Sequence, residues 1–208
     1  MESVVPILPI KLVMLPGSVY PIHITDEKYK RMISHCVNNK ADFGIVAEID
    51  SEINNVGCLV GIKEVNSAQG DDSLDIVVIG QDRFYTVNTK PHFDGYLEAE
   101  IESYLDHPNT DETTPLFIDA LDTLKDILNK TNLKLDENYW KNLTTAPIKS
   151  YKLAEKSGLS LQQRQELLVL KDEPKRLQYI YDHLKKVSSF IDQDKVVKKL
   201  IASDGYLN

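Results

Sequence analysis

Two cysteines in 208 residues leave no room for a disulfide scaffold. Cys36 falls in a helical pattern and Cys58 in a strand pattern, so both are expected to be buried free thiols. Long apolar runs are also missing. None approaches the roughly 20 residues that a bilayer-spanning helix needs, so no membrane partner is expected. The opening Met-Glu-Ser-Val-Val-Pro lacks the basic stretch and apolar core of a secretory leader, and the expected location is cytoplasmic. Positive charge is scarce where it would matter for nucleic acid. Residues 1–105 hold 8 Lys/Arg against 16 Asp/Glu, a net of −8, while residues 106–208 hold 16 of each. Phosphate backbones are bound chiefly by neutralisation with Lys and Arg, so no nucleic acid is expected on the acidic half.

The common marks of catalysis are missing too. Gly57 and Gly61, the only close glycine pair, have no Lys-Ser after them, and no phosphate loop exists. There is no G-x-S-x-G elbow and no H-E-x-x-H. The cysteines stand 22 positions apart, too far for a C-x-x-C zinc knuckle. His23, His35, His92, His107 and His183 are scattered singly, and a metal would require the fold to bring two of them together. Asp71, Asp72 and Asp75 lack the calcium-loop spacing and its closing Glu, and read as a solvated turn. The lone Trp140, beside Tyr139 on a short helical segment, reads as a core side chain rather than a ligand platform. No cofactor, metal or catalytic residue is implied, and the expectation is a protein that is not an enzyme.

Two kinds of pattern fill the chain. The first half carries short β-branched runs at 4–13, 19–24, 43–49, 57–65, 74–79, 83–87 and 96–104. In the last, Leu97, Ala99 and Ile101 alternate with Glu98, Glu100 and Glu102, the period of a half-buried strand. One helix interrupts these strands at about 26–38. Its stripe is Tyr29, Met32, Ile33, Cys36 and Val37, with Thr25 as cap and Asn39 as left-handed exit. It is expected to plug an open side of the strand system. Leu15-Pro16-Gly17 fits a tight turn with Gly at positive φ, and Gly80 fits a bulge or hairpin.

The polar stretch "DHPNTDETT", residues 106–114, divides the chain, and helical periods follow it. Pro115 starts a helix with Leu116, Phe117, Ala120, Leu121, Leu124, Ile127 and Leu128 on one face. Ser160-x-x-Gln163 is a capping box, and Pro174 opens a last helix bearing Leu177, Ile180, Tyr181, Leu184, Val187 and Ile191. The expected domains are 1–105 (β-rich), 115–192 (helical bundle) and a weakly ordered tail at 193–208.

Taken in order, "ILPIKLVMLPGSVYPIHI", "FGIV", "VGCLVGI", "LDIVVIGQDRFYTV", "YLEAEIE" and "LSLQQRQELLVLKDEPKRLQYIYDHL" resemble the Lon protease N-terminal domain. The similarity spans nearly the whole chain, weakest at 129–157 and absent from the tail. It implies an α+β fold, a PUA-like β pseudo-barrel with one plugging helix followed by an α-helical bundle. It also implies a stand-alone substrate-binding module without the ATPase and protease domains. Such a module would bind unfolded or exposed apolar segments of client proteins, as an adaptor to a protease or chaperone. The alternative is a small-molecule or RNA-binding PUA-like protein. If the resemblance holds, Met14 and Tyr20 are the candidate protein-binding residues, because side chains beside the turn have less barrel available to bury them.

Overall fold

The computed structural model describes residues 3–67, 73–108 and 114–191. The chain divides into two compact units, 1–105 and 106–208. Among the described residues the first holds β1 (Ser3–Ile10), β2 (Val19–Ile24), α1 (Glu27–Asn39), β3 (Phe43–Ile49), β4 (Glu52–Ile53), β5 (Val56–Ser67), β6 (Leu74–Pro91) and β7 (Leu97–Ser103). The second holds α2 (Thr114–Thr131), α3 (Glu137–Thr145), α4 (Lys149–Ala154), α5 (Leu161–Val169) and α6 (Glu173–Phe190). The expected tail, Asp71 and Asp72, and 109–113 of the polar break lie outside the described residues.

The strands close on themselves through the pairings β1–β7, β7–β6, β6–β5, β5–β3 and β3–β1. Only β1 and β3 run parallel, which their long connection through β2 and α1 permits. Ile7, Val46, Phe84, Ala99 and Ile101 form one buried cluster. Room for the Phe84 ring comes from two glycines: a Cβ on Gly44 or on Gly57 would stand 2.7 Å from its Cζ. The expected strands 74–79 and 83–87 are a single 18-residue strand, β6. A bulge bends it, since Cys58 faces Arg83 while Val60 faces Gly80. Gly80 therefore flanks a bulge and no hairpin.

Beside that bulge the first turn of the chain is docked. Gly17 has φ of 80°, and the Ser18 amide donates to the Leu15 carbonyl at 3.1 Å, closing a turn with Pro16 and Gly17 at its centre. The Gly17 amide donates to the Gly80 carbonyl, and the Gly80 amide to the Ser18 carbonyl, both at 2.9 Å. A Cβ on Gly80 would meet the Leu15 carbonyl oxygen at 2.3 Å, so only glycine allows this approach. β2 then pairs with β6 from Val19 opposite Ile79 to Ile24 opposite Leu74.

The caps of α1 differ from expectation by one residue each. Asp26, not Thr25, is the N-cap, and its carboxylate accepts from the Lys28 amide at 3.0 Å. Lys40, not Asn39, takes the left-handed exit, with φ of 51°. Met32, Ile33 and Cys36 are buried, whereas Val37 stays 43% exposed.

In the helical unit α2 and α6 pack along each other. Ser160 and Gln163 form the expected capping box, and Pro174 sits in the first turn of α6. The apolar face of α6 also carries a fully buried Arg176, which the apolar period does not announce. Its guanidinium makes a two-pronged pair with Asp106, at 2.8 and 2.6 Å, and reaches Glu173 at 2.9 Å. The His107 amide donates to the Lys171 carbonyl at 2.9 Å, so the polar break already belongs to the helical unit at its first two residues.

Candidate functional site

The two residues expected at a binding surface have different fates. Met14 is 1% exposed, and its Cε would lie 3.3 Å from a Cβ on Gly80. It is a core residue that the docked turn covers, and it offers no surface. Tyr20 is partly buried on β2. It stands opposite Val78, which on its other side faces Ile62, so the three share one row across the sheet.

Polar groups capable of chemistry are dispersed or occupied. His23 pairs with Asp75 at 2.7 Å, and both side chains are about half exposed. His107 pairs with Asp172 at 3.3 Å, and His92 stacks on Tyr96 with ring centroids 4.2 Å apart. Among the described residues no three His, Cys, Asp or Glu gather as a metal site requires. Both cysteines are free and buried. Burial, with Asp42 nearby, pushes the Cys36 thiol up to about 11, and burial pushes Cys58 up to about 12, which keeps both as thiols rather than nucleophilic thiolates. Arg83 is buried with its guanidinium 5.0 Å from the centre of the Tyr104 ring.

Two exposed apolar side chains share a groove beside α1 and β5. An open groove of about 530 Å³ runs between the C-terminal turn of α1 and strand β5. Val37 and Val65, each 43% exposed, stand in its lining with Ile62 and Ile79. Its charges balance: Lys40 and Lys63 against Asp42 and Glu64, with the Gln81 amide donating to Asp42 at 3.2 Å. Among the described residues β3 pairs with β5 only as far as Val60, so 61–67 are bonded on the β6 side alone. The groove thus offers apolar side chains and unpaired strand backbone together. This suits an extended polypeptide.

A second apolar feature tops the β6–β7 hairpin. Phe93 is 90% exposed at a turn held from all sides. The Gly95 amide donates to the His92 carbonyl and the His92 amide to the Tyr96 carbonyl, at 2.9 and 2.8 Å. Gly95 has φ of 89°, and Arg31 of α1 donates to the Asp94 carbonyl at 3.0 Å. Phe93 touches this frame through the His92 ring, with centroids 4.1 Å apart. The signal was present in "HFDGY", since Asp-Gly between two strands marks a hairpin and puts the residue before it at the tip.

Trp140 departs from its core assignment. Tyr139 and Trp140 are helix neighbours and cannot both face inward. Tyr139 takes the core, 6% exposed, with its hydroxyl donating to the Lys152 carbonyl at 3.2 Å. Trp140 lies edge-on to it and lines an open groove.

Among the described residues no helix is long and apolar enough to cross a membrane. The family described as "ATP-dependent protease La (LON) substrate-binding domain" matches residues 4–186. A Lon protease of Parabacteroides distasonis is 28% identical over 135 residues, which are 61% of this chain and 16% of that protein. The chain therefore spans less than a fifth of that relative. The fold resembles the crystal structure of a Lon N-terminal domain protein from Xanthomonas campestris. The TM-score is 0.66 at 22% identity, covering 86% of this chain and 98% of that one. It resembles equally the N-terminal domain of a Mycobacterium avium complex Lon protease. There the TM-score is 0.70 at 21% identity, over 88% and 98% of the two chains. The closed barrel with its docked first turn, the helices that follow it, and a family match reaching from β1 into α6 place this chain in the Lon substrate-binding domain family.

Proposed function

We propose that this chain is a non-catalytic protein-binding module. It holds extended apolar segments of unfolded or client proteins along the groove between α1 and β5, as an adaptor that passes them to a protease or chaperone. The observation that carries this reading is the pair Val37 and Val65, exposed in one groove beside strand backbone that, among the described residues, pairs on the β6 side alone. Fully burying an exposed side chain of this size is worth about 1.5–3 kcal/mol, and Val37 and Val65, each 43% exposed, contribute part of that each, beside the backbone hydrogen bonds of the strand. Tyr20 lies in line with Ile62 across β6, but the buried Val78 stands between them, so its part in binding is secondary to that of Val37 and Val65.

The test is a titration, by fluorescence anisotropy, of a labelled peptide that alternates apolar with uncharged residues. Affinity at low and high salt should agree within about twofold, because hydrophobic burial is not screened as exposed charge pairs are. Val37→Asp and Val65→Asp should each weaken binding about tenfold or more, and Tyr20→Asp by less. Affinity that collapses with added salt, or folded Val37→Asp and Val65→Asp proteins that bind normally, would refute the reading.

A further inference from the structure

The groove beside Trp140 differs from the α1–β5 groove in its charge. It is about 330 Å³, formed where α2 ends and the chain turns toward α3. The turn is set by Asn132, at φ of 55°, and by the Leu133 amide, which donates to the Leu128 carbonyl at 3.1 Å. Leu128, Leu133, Leu135 and the Trp140 indole supply its apolar surface. Trp140 is held in turn by α3, whose first turn is capped by Asp136, and by the buried Tyr139 at a centroid distance of 5.2 Å. Two charged residues line the groove, Lys125 and Lys134, and both are cations. Lys125 reaches Asp122 at 3.4 Å in an exposed pair, and Lys134 makes no ion pair among the described residues. On another part of α2, Asp119, Asp122 and Asp126 line a groove of the opposite sign, so the positive rim is a local choice.

We infer that this groove takes an internal acidic–apolar segment of a polypeptide, in which Asp or Glu stands on both sides of a bulky apolar residue. The apolar side chain lies against Trp140 and the leucines, and the two carboxylates reach Lys125 and Lys134. An open groove with two cations offers a contact to each of two carboxylates within a passing chain, where one terminal carboxylate would use only one of them. The inference rests on the reading of this chain as a holder of polypeptide segments, and it gives the helical unit a specificity of its own.

Trp140 is the only tryptophan of the chain, so its emission reports this groove directly. The probes are N-acetylated, C-terminally amidated peptides with Glu-Phe-Glu or Gln-Phe-Gln at their centre, titrated into the full chain. A third peptide carries Gln-Phe and a free C-terminal carboxylate. Glu-Phe-Glu should shift Trp140 emission saturably and bind about tenfold tighter than Gln-Phe-Gln, with affinity falling as salt is added. Exposed charge pairs contribute up to about fivefold each, so Lys134→Gln and Lys125→Gln should each weaken Glu-Phe-Glu about two- to fivefold and leave Gln-Phe-Gln unchanged. Equal binding of the Glu and Gln peptides, or a silent Trp140 at saturating peptide, would overturn the inference. So would a free-carboxylate peptide that binds as well as Glu-Phe-Glu. The uncharged peptide of the α1–β5 experiment separates the two readings. If it still binds while Trp140 ignores acidic peptides, only this inference fails; if it does not bind while Glu-Phe-Glu does, only the α1–β5 assignment fails.

Discussion

Gly80→Ala is expected to cost the barrel unit about 2–4 kcal/mol, although it adds one methyl group to a strand. The new Cβ would stand 2.3 Å from the Leu15 carbonyl oxygen, about 1 Å inside an ordinary carbon–oxygen contact. The obstacle is backbone, so no rotamer change relieves it. Either the turn lifts or β6 moves, and both strain the Gly17-to-Gly80 and Gly80-to-Ser18 hydrogen bonds. Each bond is worth about 0.5–1.5 kcal/mol net, and a buried group left unpaired costs about 1–3 kcal/mol. Gly17 provides the control. Nothing lies within 4 Å of its Cβ position, so substitutions there meet only the positive φ of 80°. Gly17→Val should cost on the order of 1–3 kcal/mol, and Gly17→Asn, whose side chain tolerates that region, less. Urea unfolding of the three variants by far-UV circular dichroism gives the order. If Gly80→Ala proves as mild as Gly17→Asn, the turn is not docked on β6 as described.

Three further outcomes are expected. Asp106→Ala should destabilise the helical unit by about 2 kcal/mol in urea unfolding; this is below the 3–5 kcal/mol of a fully buried pair, because Asp106 is 33% exposed and Glu173 still holds Arg176, and an unchanged midpoint would show that the pair does not pin the segment. Burial holds the His183 pKa below its ordinary value, and its Nδ1 lies 3.1 Å from Gln163 Nε2 of the capping box while Nε2 lies 3.0 Å from the Ser157 carbonyl. The folded state therefore favours neutral imidazole, with stability fully present above the unfolded pKa of about 6.5 and lost as pH falls through the folded value; His183→Gln should flatten this dependence in thermal melts, and an equally steep profile would refute the assignment. Limited digestion with a protease that cuts at acidic residues should nick 106–114 first, since this stretch holds Asp106, Asp111 and Glu112 and no Lys or Arg; first cuts inside β6 would contradict the division into units.

Much of the fold could be read locally, and the misreadings share a cause. β2, β3 and the capping box of α5 rest on neighbours within a few residues, and these stand where their patterns put them. The caps of α1 differ by one position because Thr25 and Asp26 are both good N-caps and the helix can end at Asn39 or at Lys40; the hydrogen bonds from the Lys28 amide to Asp26 and from the Lys40 amide to Cys36 and Val37 fix the outcome. β6 was divided because Gly80 looks like a strand end, whereas its purpose is to admit the Leu15 carbonyl from a turn far upstream. Arg176 lies in an apolar stripe, and its reason is a carboxylate 70 positions away. A position beside the turn predicts an exposed Met14, whereas Met14 is buried against Gly80 of β6. The α1–β5 groove was invisible for the same reason, being a property of two elements and not of either.

Phe93, Trp140 and the pair Val37 and Val65 are built alike, and this supports a binding role over accident. Each projects from a frame held by other groups: the hairpin tip by Arg31 and Gly95, α3 by Asp136 and Tyr139, and α1 by its buried Met32, Ile33 and Cys36. Phe93 and Trp140 touch one frame ring each and Val37 and Val65 are partly covered, so a hydrophilic residue at these positions costs folding less than one in the core would. An exposed Phe on a mobile loop would pay conformational entropy on contact with a partner; on a fixed tip it pays little. Scattered exposed apolar residues need no explanation by themselves. Those mounted on rigid frames, beside grooves with an unpaired strand edge or a one-signed rim, are the kind of surface on which a few anchors carry most of the binding energy.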